Sequence, residues 1–316
     1  MLKNLSHLDM PAFLLNCPFS ISSAVPNNQW MLDAIKNGED LKIDQDEALG
    51  QWYDLYSVLS SNGIVQLLPT PSFQKGQYQD LAFVANIGIV LTHLQPKRDV
   101  VIISNFTSEP RQCETPIGKS FFELSGYETI VCPFKFEGEA DLKHIRDNIY
   151  IGGYGMRTDI KAFEWMEENF DMHIIKCKIT KPSLYHFDCS LSVLTKNVVL
   201  FDDINFTEAE KKAISEVVEI VPIKNHDWLD YGITNTVRCH SMLLVGSDFQ
   251  SLDPTLDEEK KPYQIEKGKL AFLEDVCMDL GLEVNPINLS AFYSSGAALS
   301  CDVLHLNRFS YNFEMI

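Results

Sequence analysis

The sequence has few basic residues for its length. Lys and Arg number 26 against 44 Asp and Glu, which gives a formal net charge of -18 at pH 7. Recognition of phosphate needs a surplus of Lys and Arg, so this deficit argues against nucleic acid or an anionic membrane as a partner. The acidic balance is compatible with a cationic substrate, although a solubilising surface accounts for most charge of this kind.

Long hydrophobic runs are also missing. No apolar stretch reaches the roughly 18 residues that a transmembrane helix needs. Residues 1–9 lack the basic head and apolar core of a signal peptide. We therefore expect a cytoplasmic protein without a membrane segment.

Two groups of cofactor motifs are absent as well. The eight cysteines form no CxxC pair, which disfavours a structural zinc site or a thioredoxin-type redox site. No Gly-rich phosphate or dinucleotide loop follows a predicted strand. We expect no metal and no organic cofactor, and we expect the cysteines to be reduced thiols, most of them buried.

What the sequence does contain is a recurring unit of two strands, a helix and a strand. Its clearest copy places strands over 148–153 and 173–179 on either side of a helix over 159–170. Further copies start near His186 and Asn235. A repeat of roughly 40–55 residues favours a repeat array or propeller over a doubly wound sheet. The patterns also predict strands over 81–84, 186–194 and 299–306 and a solvated loop over 253–261.

A histidine and a cysteine are the first candidates for chemistry. Residues two apart in a strand point to the same face, so His186 and Asp188 would share a pocket as proton carrier and cation ligand. Cys301 follows the small-residue loop 294–298, which would let a substrate reach the sulfur. Taken singly, these residues also fit a hydrogen-bonded strand-end histidine and a buried core cysteine.

Other charged and amide side chains lie at the edges of predicted elements. Glu137 precedes a glycine, which would let a ligand approach the backbone. Arg111 and Arg157 could each clamp a carboxylate with two parallel hydrogen bonds. Asp80 and Asn86 flank a short apolar segment. Each residue alone is more typical of an acidic turn, a surface arginine or the end of a strand.

Together and in this order, the motifs resemble those of the guanidine-modifying superfamily with the pentein fold. The resemblance covers nearly the whole chain, and it implies a single catalytic domain over residues 1–316. It implies an α/β propeller of five ββαβ units around a pseudo-fivefold axis, in agreement with the repeat. The matching segments are 16–18, 28–31, 80–88, 111–114, 136–141, 153–158, 186–188 and 290–301.

The resemblance implies covalent catalysis on a guanidinium group. Cys301 would attack the guanidinium carbon, and His186 would protonate the leaving amine and then activate water. Glu137 and Asp188 would bind guanidinium nitrogens and stabilise the cation. Covalent catalysis suits this substrate because an amidine carbon is a poor electrophile, and two easier steps replace one difficult hydrolysis.

The remaining matches imply substrate contacts. Arg111 and Arg157 would hold the carboxylate of the substrate, and Asp80 would line the site. At Asn86 the sequence resembles the arginine dihydrolases, which have Asn at this position. The deiminases and dimethylargininases of the family usually have Asp there. Asn28 would assist Asn86. We therefore expect arginine dihydrolase activity, which converts arginine to ornithine, ammonia and carbon dioxide.

The loop before the cysteine departs from the family pattern S-E-F-x-K-S-G-G. Ala291, Ser294 and Ala297 stand where the family has Glu, Lys and Gly, so a modified arginine or another guanidine stays open as the substrate. Other readings are a deiminase or dimethylargininase that stops at citrulline, an amidinotransferase, and a pentein-fold binding protein without turnover. A metal site formed by His186, Asp188 and Cys189 is a weaker alternative, and the sequence leaves the oligomeric state open.

Overall fold

The computed structural model describes residues 5–73 and 76–312, and these residues form five three-stranded sheets. In every sheet the middle strand runs antiparallel to one neighbour and parallel to the other. A parallel pair cannot be joined by a tight turn, so a helical crossover connects the second and third strands. The predicted ββαβ unit is confirmed.

The elements follow one another in the order that this unit requires. The strands are β1 (Ala12–Leu15), β2 (Ile64–Leu67), β3 (Gly88–Leu91), β4 (Val100–Ile103), β5 (Glu128–Val131), β6 (Leu142–Arg146), β7 (Ile149–Tyr154), β8 (His173–Lys178), β9 (Leu191–Thr195), β10 (Val198–Asp202), β11 (Glu219–Ile223), β12 (Thr236–Cys239), β13 (Met242–Gly246), β14 (Glu283–Ile287) and β15 (Leu304–His305). The helices are α1 (Gln29–Lys36), α2 (Gln45–Asn62), α3 (Thr115–Leu124), α4 (Ile160–Phe170), α5 (Glu208–Ser215), α6 (His226–Asp230), α7 (Asp257–Asp279) and α8 (Ser290–Tyr293).

One of the five sheets combines both ends of the chain. β1 pairs antiparallel with β15, where Phe13 lies opposite His305, and parallel with β2. The other four sheets are each built from consecutive strands. The pairing of β1 with β15 brings the segment before β15, which carries Cys301, next to the amino-terminal unit.

The middle strands of the sheets are buried on both faces. In β4 all four residues are fully buried. Val101 and Ile103 pack into one hydrophobic cluster with Phe122 of α3, whereas Val100 and Ile102 pack into the next cluster with Tyr150. Successive side chains of a strand point to opposite faces, so a middle strand such as β4 lies between two hydrophobic clusters. This explains why the strands appear in the sequence as continuous apolar runs.

One predicted strand is wrong and two others are wrong in their first part, and the residues concerned lie at the site described below. Residues 81–82 end a turn, and a 3-10 helix follows over Val84–Ile87. Residues 187–189 form another 3-10 helix, so β9 begins only at Leu191. Residues 299–302 form a third, and β15 is limited to two residues. His186 and Asp188 therefore do not share one face of a strand.

The predicted loop over 253–261 is also partly wrong. α7 begins at Asp257, and Asp257, Glu258 and Glu259 occupy its first turn. Negative side chains stabilise the positive end of the helix dipole, so this acidic run favours a helix start.

No helix in the described part of the chain is both long and apolar enough to cross a membrane. Residues 1–4, which belong to the segment used for the cytoplasmic prediction, lie outside the described residues.

Candidate active site

Most of the candidate residues from the sequence analysis line one pocket. The predicted residues that line it are Asn28, Asp80, Asn86, Arg111, Arg157, His186 and Cys301. The other two, Glu137 and Asp188, are fully buried and contact this lining directly. Residues from seven separate parts of the sequence thus meet at one place.

Cys301 lies against the carboxylate of Asp188. The Cys301 Sγ atom is 3.8 Å from Asp188 Oδ2, and the hydroxyl of Ser300 donates to the same oxygen at 2.8 Å. Burial, together with the negative charge of Asp188, raises the pKa of the Cys301 thiol well above its usual value. The thiol is therefore neutral at physiological pH, and a cation bound next to the sulfur would favour the thiolate.

His186 is held by Glu137. The two side chains approach to 2.7 Å between His186 Nε2 and Glu137 Oε2. Glu137 Oε1 accepts hydrogen bonds from the backbone N–H groups of Thr107 and Ser108, at 2.9 and 3.3 Å. Burial alone would raise the pKa of Glu137, but His186 and the nearby arginine charges lower it to about 2. Glu137 is therefore an anion that fixes the imidazole.

The approach of Glu137 to the segment that carries Asn86 depends on a glycine. Gly138 has a φ of +68°, and a Cβ atom there would lie 2.4 Å from the carbonyl oxygen of Ala85. Only glycine tolerates both the positive φ and this contact. The family-like pattern over 136–141 thus has a local steric reason.

Asp141 joins the two loops that carry His186 and Arg157. Its carboxylate accepts from the Thr158 hydroxyl at 2.6 Å and from the Phe187 backbone N–H at 3.0 Å. Burial raises the pKa of Asp141 to about 6. The sequence analysis did not select Asp141, although it ends the pattern over 136–141 and this position was the available signal.

Arg111 is buried and almost completely paired. Its Nε and Nη2 atoms donate to both carboxylate oxygens of Glu114 at 2.7 to 3.1 Å. Nη1 donates to Asn86 Oδ1 at 2.8 Å, and Nη2 also reaches the backbone carbonyls of Asp80 and Phe83 at 3.1 Å. These carbonyls accept hydrogen bonds from Arg111 and not from a neighbouring strand. This explains why residues 81–84 do not form the predicted strand. Binding of a substrate carboxylate by Arg111 stays a prediction.

The Arg111–Glu114 pair is electrostatically coupled in the protein interior. Burial disfavours the cation, but the charge of Glu114 keeps the pKa of Arg111 above its usual value. Burial likewise raises the pKa of Glu114 to about 7, and the charge of Arg111 opposes this rise. Glu114 has no exposed surface and was noted in the sequence only as part of the 111–114 pattern.

Arg157 is held more loosely than Arg111. Its Nη1 atom is 3.5 Å from Glu137 Oε2, and its Nη2 donates to the Asn27 backbone carbonyl at 2.6 Å. The guanidinium lies 5.1 Å from the centre of the Tyr185 ring. Several of its N–H groups therefore remain available to a ligand in the pocket.

Asp80 carries an oxygen without a partner. The Asn27 amide hydrogen-bonds Asp80 Oδ2, whereas the buried Oδ1 has no hydrogen-bond partner. Burial raises the pKa of Asp80, and the positive charge of Arg111 opposes this. A buried acceptor without a donor is costly, so Asp80 favours a ligand that brings N–H groups.

Asn28 fixes the loop before Cys301 against the start of α1. Its Oδ1 accepts from the Met31 backbone N–H at 2.9 Å and caps the helix, while its Nδ2 donates to the Ser295 carbonyl at 2.9 Å. Gly296 has a φ of +74°, and a Cβ there would lie 2.8 Å from Asn28 Nδ2. Tyr185, which the sequence analysis missed, donates from its hydroxyl to the Gly296 carbonyl at 2.5 Å.

A metal site receives no support from the described residues. Nowhere in residues 5–73 and 76–312 do three His, Cys, Asp or Glu side chains form a group that could hold a metal ion. His186 Nε2 is directed at Glu137, whereas the Cys189 Sγ atom lies 3.7 Å from Asp188 Oδ1. The three residues of the metal alternative do not converge.

Comparison with models of protein families gives no match. Individual proteins are nevertheless similar. The bifunctional arginine dihydrolase/ornithine cyclodeaminase AgrE of Nostoc sp. is 27% identical over 285 residues, which cover 88% of this chain and 35% of AgrE. The protein of the same description from Synechocystis sp., ArgZ, is 24% identical over equal shares. This chain spans about a third of the length of these curated relatives.

Solved structures show the same fold. The substrate-bound N-terminal domain of ArgZ superposes with a TM-score of 0.77 at 21% identity, over 94% of this chain and 98% of that one. An adduct of dimethylarginine dimethylaminohydrolase superposes with a TM-score of 0.64 at 16% identity, over 94% and 99%. With its five ββαβ units, this chain has the pentein fold of these structures.

Proposed function

We propose that this protein is an arginine dihydrolase that acts through a covalent Cys301 intermediate. The observation that carries the proposal is the single buried pocket in which a thiol, an imidazole and several carboxylates meet. Nucleophile, proton carrier and cation ligands are the groups that hydrolysis of a guanidinium requires. The substrate is a small guanidine, and the reaction needs neither metal nor organic cofactor.

The charges of the pocket suit a guanidinium cation. Asp188 lies beside the sulfur, Glu137 beside the imidazole, and Asp80 has a buried oxygen without a donor. A planar guanidinium offers N–H groups in several directions and would satisfy these acceptors together. The carboxylates would also keep the substrate protonated and therefore electrophilic.

Substrate binding would also activate the nucleophile. The pKa of Cys301 is raised by burial and by Asp188, and a bound cation next to the sulfur opposes both effects. The thiolate would form mainly when the substrate is present. In the empty pocket, the neutral thiol is protected from other reactions.

The first half of the reaction forms and resolves a thiouronium. Cys301 sulfur bonds to the guanidinium carbon, and the departing nitrogen leaves as ammonia after His186 gives it a proton. His186 then removes a proton from water, which attacks the same carbon and breaks the carbon–sulfur bond. The product of this half is a ureido group, as in citrulline.

The second half repeats the attack on the ureido carbon. A second ammonia leaves, a second water resolves the intermediate, and the carbamate that remains loses carbon dioxide to give ornithine. The neutral amide of Asn86 lines the pocket. The family resemblance implies a carboxylate at the same position in deiminases. An amide accommodates an uncharged ureido oxygen better than an anion does.

The relatives support the same assignment. Arginine dihydrolase is one of the two activities in the name of AgrE and of ArgZ. We carry over only this activity, because the chemistry of the pocket fits it and the match covers 35% of either relative. A cytoplasmic location, predicted from the sequence, remains part of the proposal.

The test is product analysis after incubation of the purified protein with arginine, with Cys301→Ser and Asn86→Asp in parallel. We expect ornithine without accumulated citrulline from the wild type, no product from Cys301→Ser, and more citrulline from Asn86→Asp. Citrulline as the only wild-type product would replace the proposal with a deiminase. Turnover only with an added amine would indicate an amidinotransferase, and absence of any thiol-dependent reaction with guanidines would indicate a binding protein.

A further inference from the structure

Glu114 does not line the pocket, but a chain of hydrogen bonds connects it to the pocket. Both of its carboxylate oxygens accept from Arg111, and Arg111 donates in turn to Asn86. Glu114 and Arg111 are both buried, with side-chain exposures of 0% and 4%. Neither side chain is therefore exposed to competing solvent.

The contact with Arg111 fixes the orientation of the Asn86 amide. A guanidinium carries only donors, so the Asn86 atom 2.8 Å from Arg111 Nη1 must be the oxygen. The Asn86 NH₂ group then faces His186 Nε2 at 3.4 Å and the Glu137 carbonyl at 3.5 Å. Hydrogen-bond chemistry therefore fixes the orientation of the amide.

The Asn86 NH₂ group is left with little to bind. His186 Nε2 lies 2.7 Å from the ionised Glu137 carboxylate, so this nitrogen carries the proton and donates it to Glu137. A nitrogen that donates cannot also accept from Asn86. Apart from the long contact with the Glu137 carbonyl, the amide N–H groups are free to donate into the pocket.

We propose that Glu114 is a positioning residue which, through Arg111, keeps the N–H groups of Asn86 turned toward the substrate and so promotes the second hydrolysis. This inference rests on the proposed dihydrolase function. It also assigns Arg111 to orienting Asn86 and leaves Arg157 as the arginine available to a substrate carboxylate.

The two halves of the reaction differ in their need for this donor. When Cys301 attacks a ureido carbon, the ureido oxygen gains negative charge, and a fixed N–H donor stabilises it. The guanidinium of the first half has no oxygen and offers only N–H groups. A displaced Arg111 would let the Asn86 amide turn its oxygen to the pocket, which a guanidinium tolerates and a ureido oxygen does not.

The experiment compares Glu114→Gln with the wild type by following arginine, citrulline and ornithine over time, and by supplying citrulline directly. Glutamine keeps the shape of Glu114 but replaces one acceptor oxygen with a donor that opposes Arg111. We expect the citrulline-to-ornithine ratio to rise about tenfold or more, since loss of an oxyanion donor costs at least that in rate. The matched control is Glu123→Gln on α3, which changes an exposed ion pair with Lys119 and should leave the ratio unchanged.

An unchanged ratio in folded Glu114→Gln would overturn the inference while leaving the dihydrolase intact. A wild type that makes no ornithine would instead refute the proposed function, so the two failures are distinguishable. If Glu114→Gln does not fold, Arg111→Lys provides the same test. It retains a cation next to Glu114 but loses the fork that reaches Asn86, and the same rise in citrulline is expected.

Discussion

The two arginines of the pocket were predicted to have the same role, yet they are built differently. Arg111 is buried and donates to Glu114, to Asn86 and to two backbone carbonyls. Arg157 is 11% exposed in its side chain, lies 3.5 Å from Glu137, and retains free N–H groups. An arginine whose donors are already used supports the site, whereas an arginine with unused donors can bind a ligand.

The difference predicts that Arg111 matters more for stability than Arg157. Arg111→Ala leaves Glu114 buried without its partner, and breaking such a pair costs roughly 3–5 kcal/mol. Arg157→Ala should cost much less, because Glu137 keeps His186 and two backbone donors. The measurement is the free energy of unfolding in urea for both variants. Equal losses would remove the distinction between the two arginines.

Substrate binding should show the opposite order. Arg157→Ala removes charge-assisted hydrogen bonds to a substrate carboxylate, which are worth roughly 1.5–3 kcal/mol, or about tenfold or more in kcat/KM. The control substrate is 4-aminobutylguanidine, which is arginine without its carboxylate. The wild type should prefer arginine to this compound, and Arg157→Ala should lose most of that preference. A preference that survives the substitution would place the carboxylate elsewhere.

The thiol of Cys301 also depends on its charged neighbours, because the carboxylate of Asp188 lies 3.8 Å from the sulfur. Since the pKa of Cys301 is raised, the thiolate fraction is low at neutral pH and grows as pH rises toward that pKa. Neutral iodoacetamide should therefore label Cys301 slowly at pH 7 and faster with increasing pH. Cationic 2-chloroacetamidine should label it quickly at pH 7, because it supplies the missing charge.

Asp188→Asn tests the cause of this behaviour. Removal of the negative charge should speed labelling by iodoacetamide about tenfold, the effect of one pKa unit. Peptide mass spectrometry must assign the label to Cys301, because Cys17, Cys113 and Cys189 are partly exposed. Rapid labelling by the neutral reagent at pH 7, with no further rise at higher pH, would contradict the raised pKa.

The regular part of the fold was predictable from the sequence, and the site was only partly so. Strands such as β4 and β7 appear as apolar runs because these middle strands are buried on both faces. The runs at 81–84 and 299–306 look the same in sequence, but they form a turn and 3-10 helices, and only Leu304–His305 is a strand. Their backbone groups are taken by side chains far along the chain, such as Arg111, which no local pattern reveals.

The pairing of individual side chains was the least predictable feature. Arg111 and Arg157 look equivalent as isolated guanidinium groups, and only Glu114, three residues after Arg111, hinted at a difference. Asp141 had a similar signal in its position within a motif. The contacts of Asn27 and Tyr185 had none, because they depend on how the loops before α1 and Cys301 meet.

The most direct test of the dihydrolase proposal follows the guanidino carbon itself. Arginine labelled with carbon-13 at that position is incubated with the protein, and the label is observed by NMR in a sealed tube. The account predicts that the label appears as carbon dioxide and bicarbonate, with no lasting ureido signal and no reaction in Cys301→Ser. A label that stays in citrulline, or that is released equally well without the thiol, would contradict it.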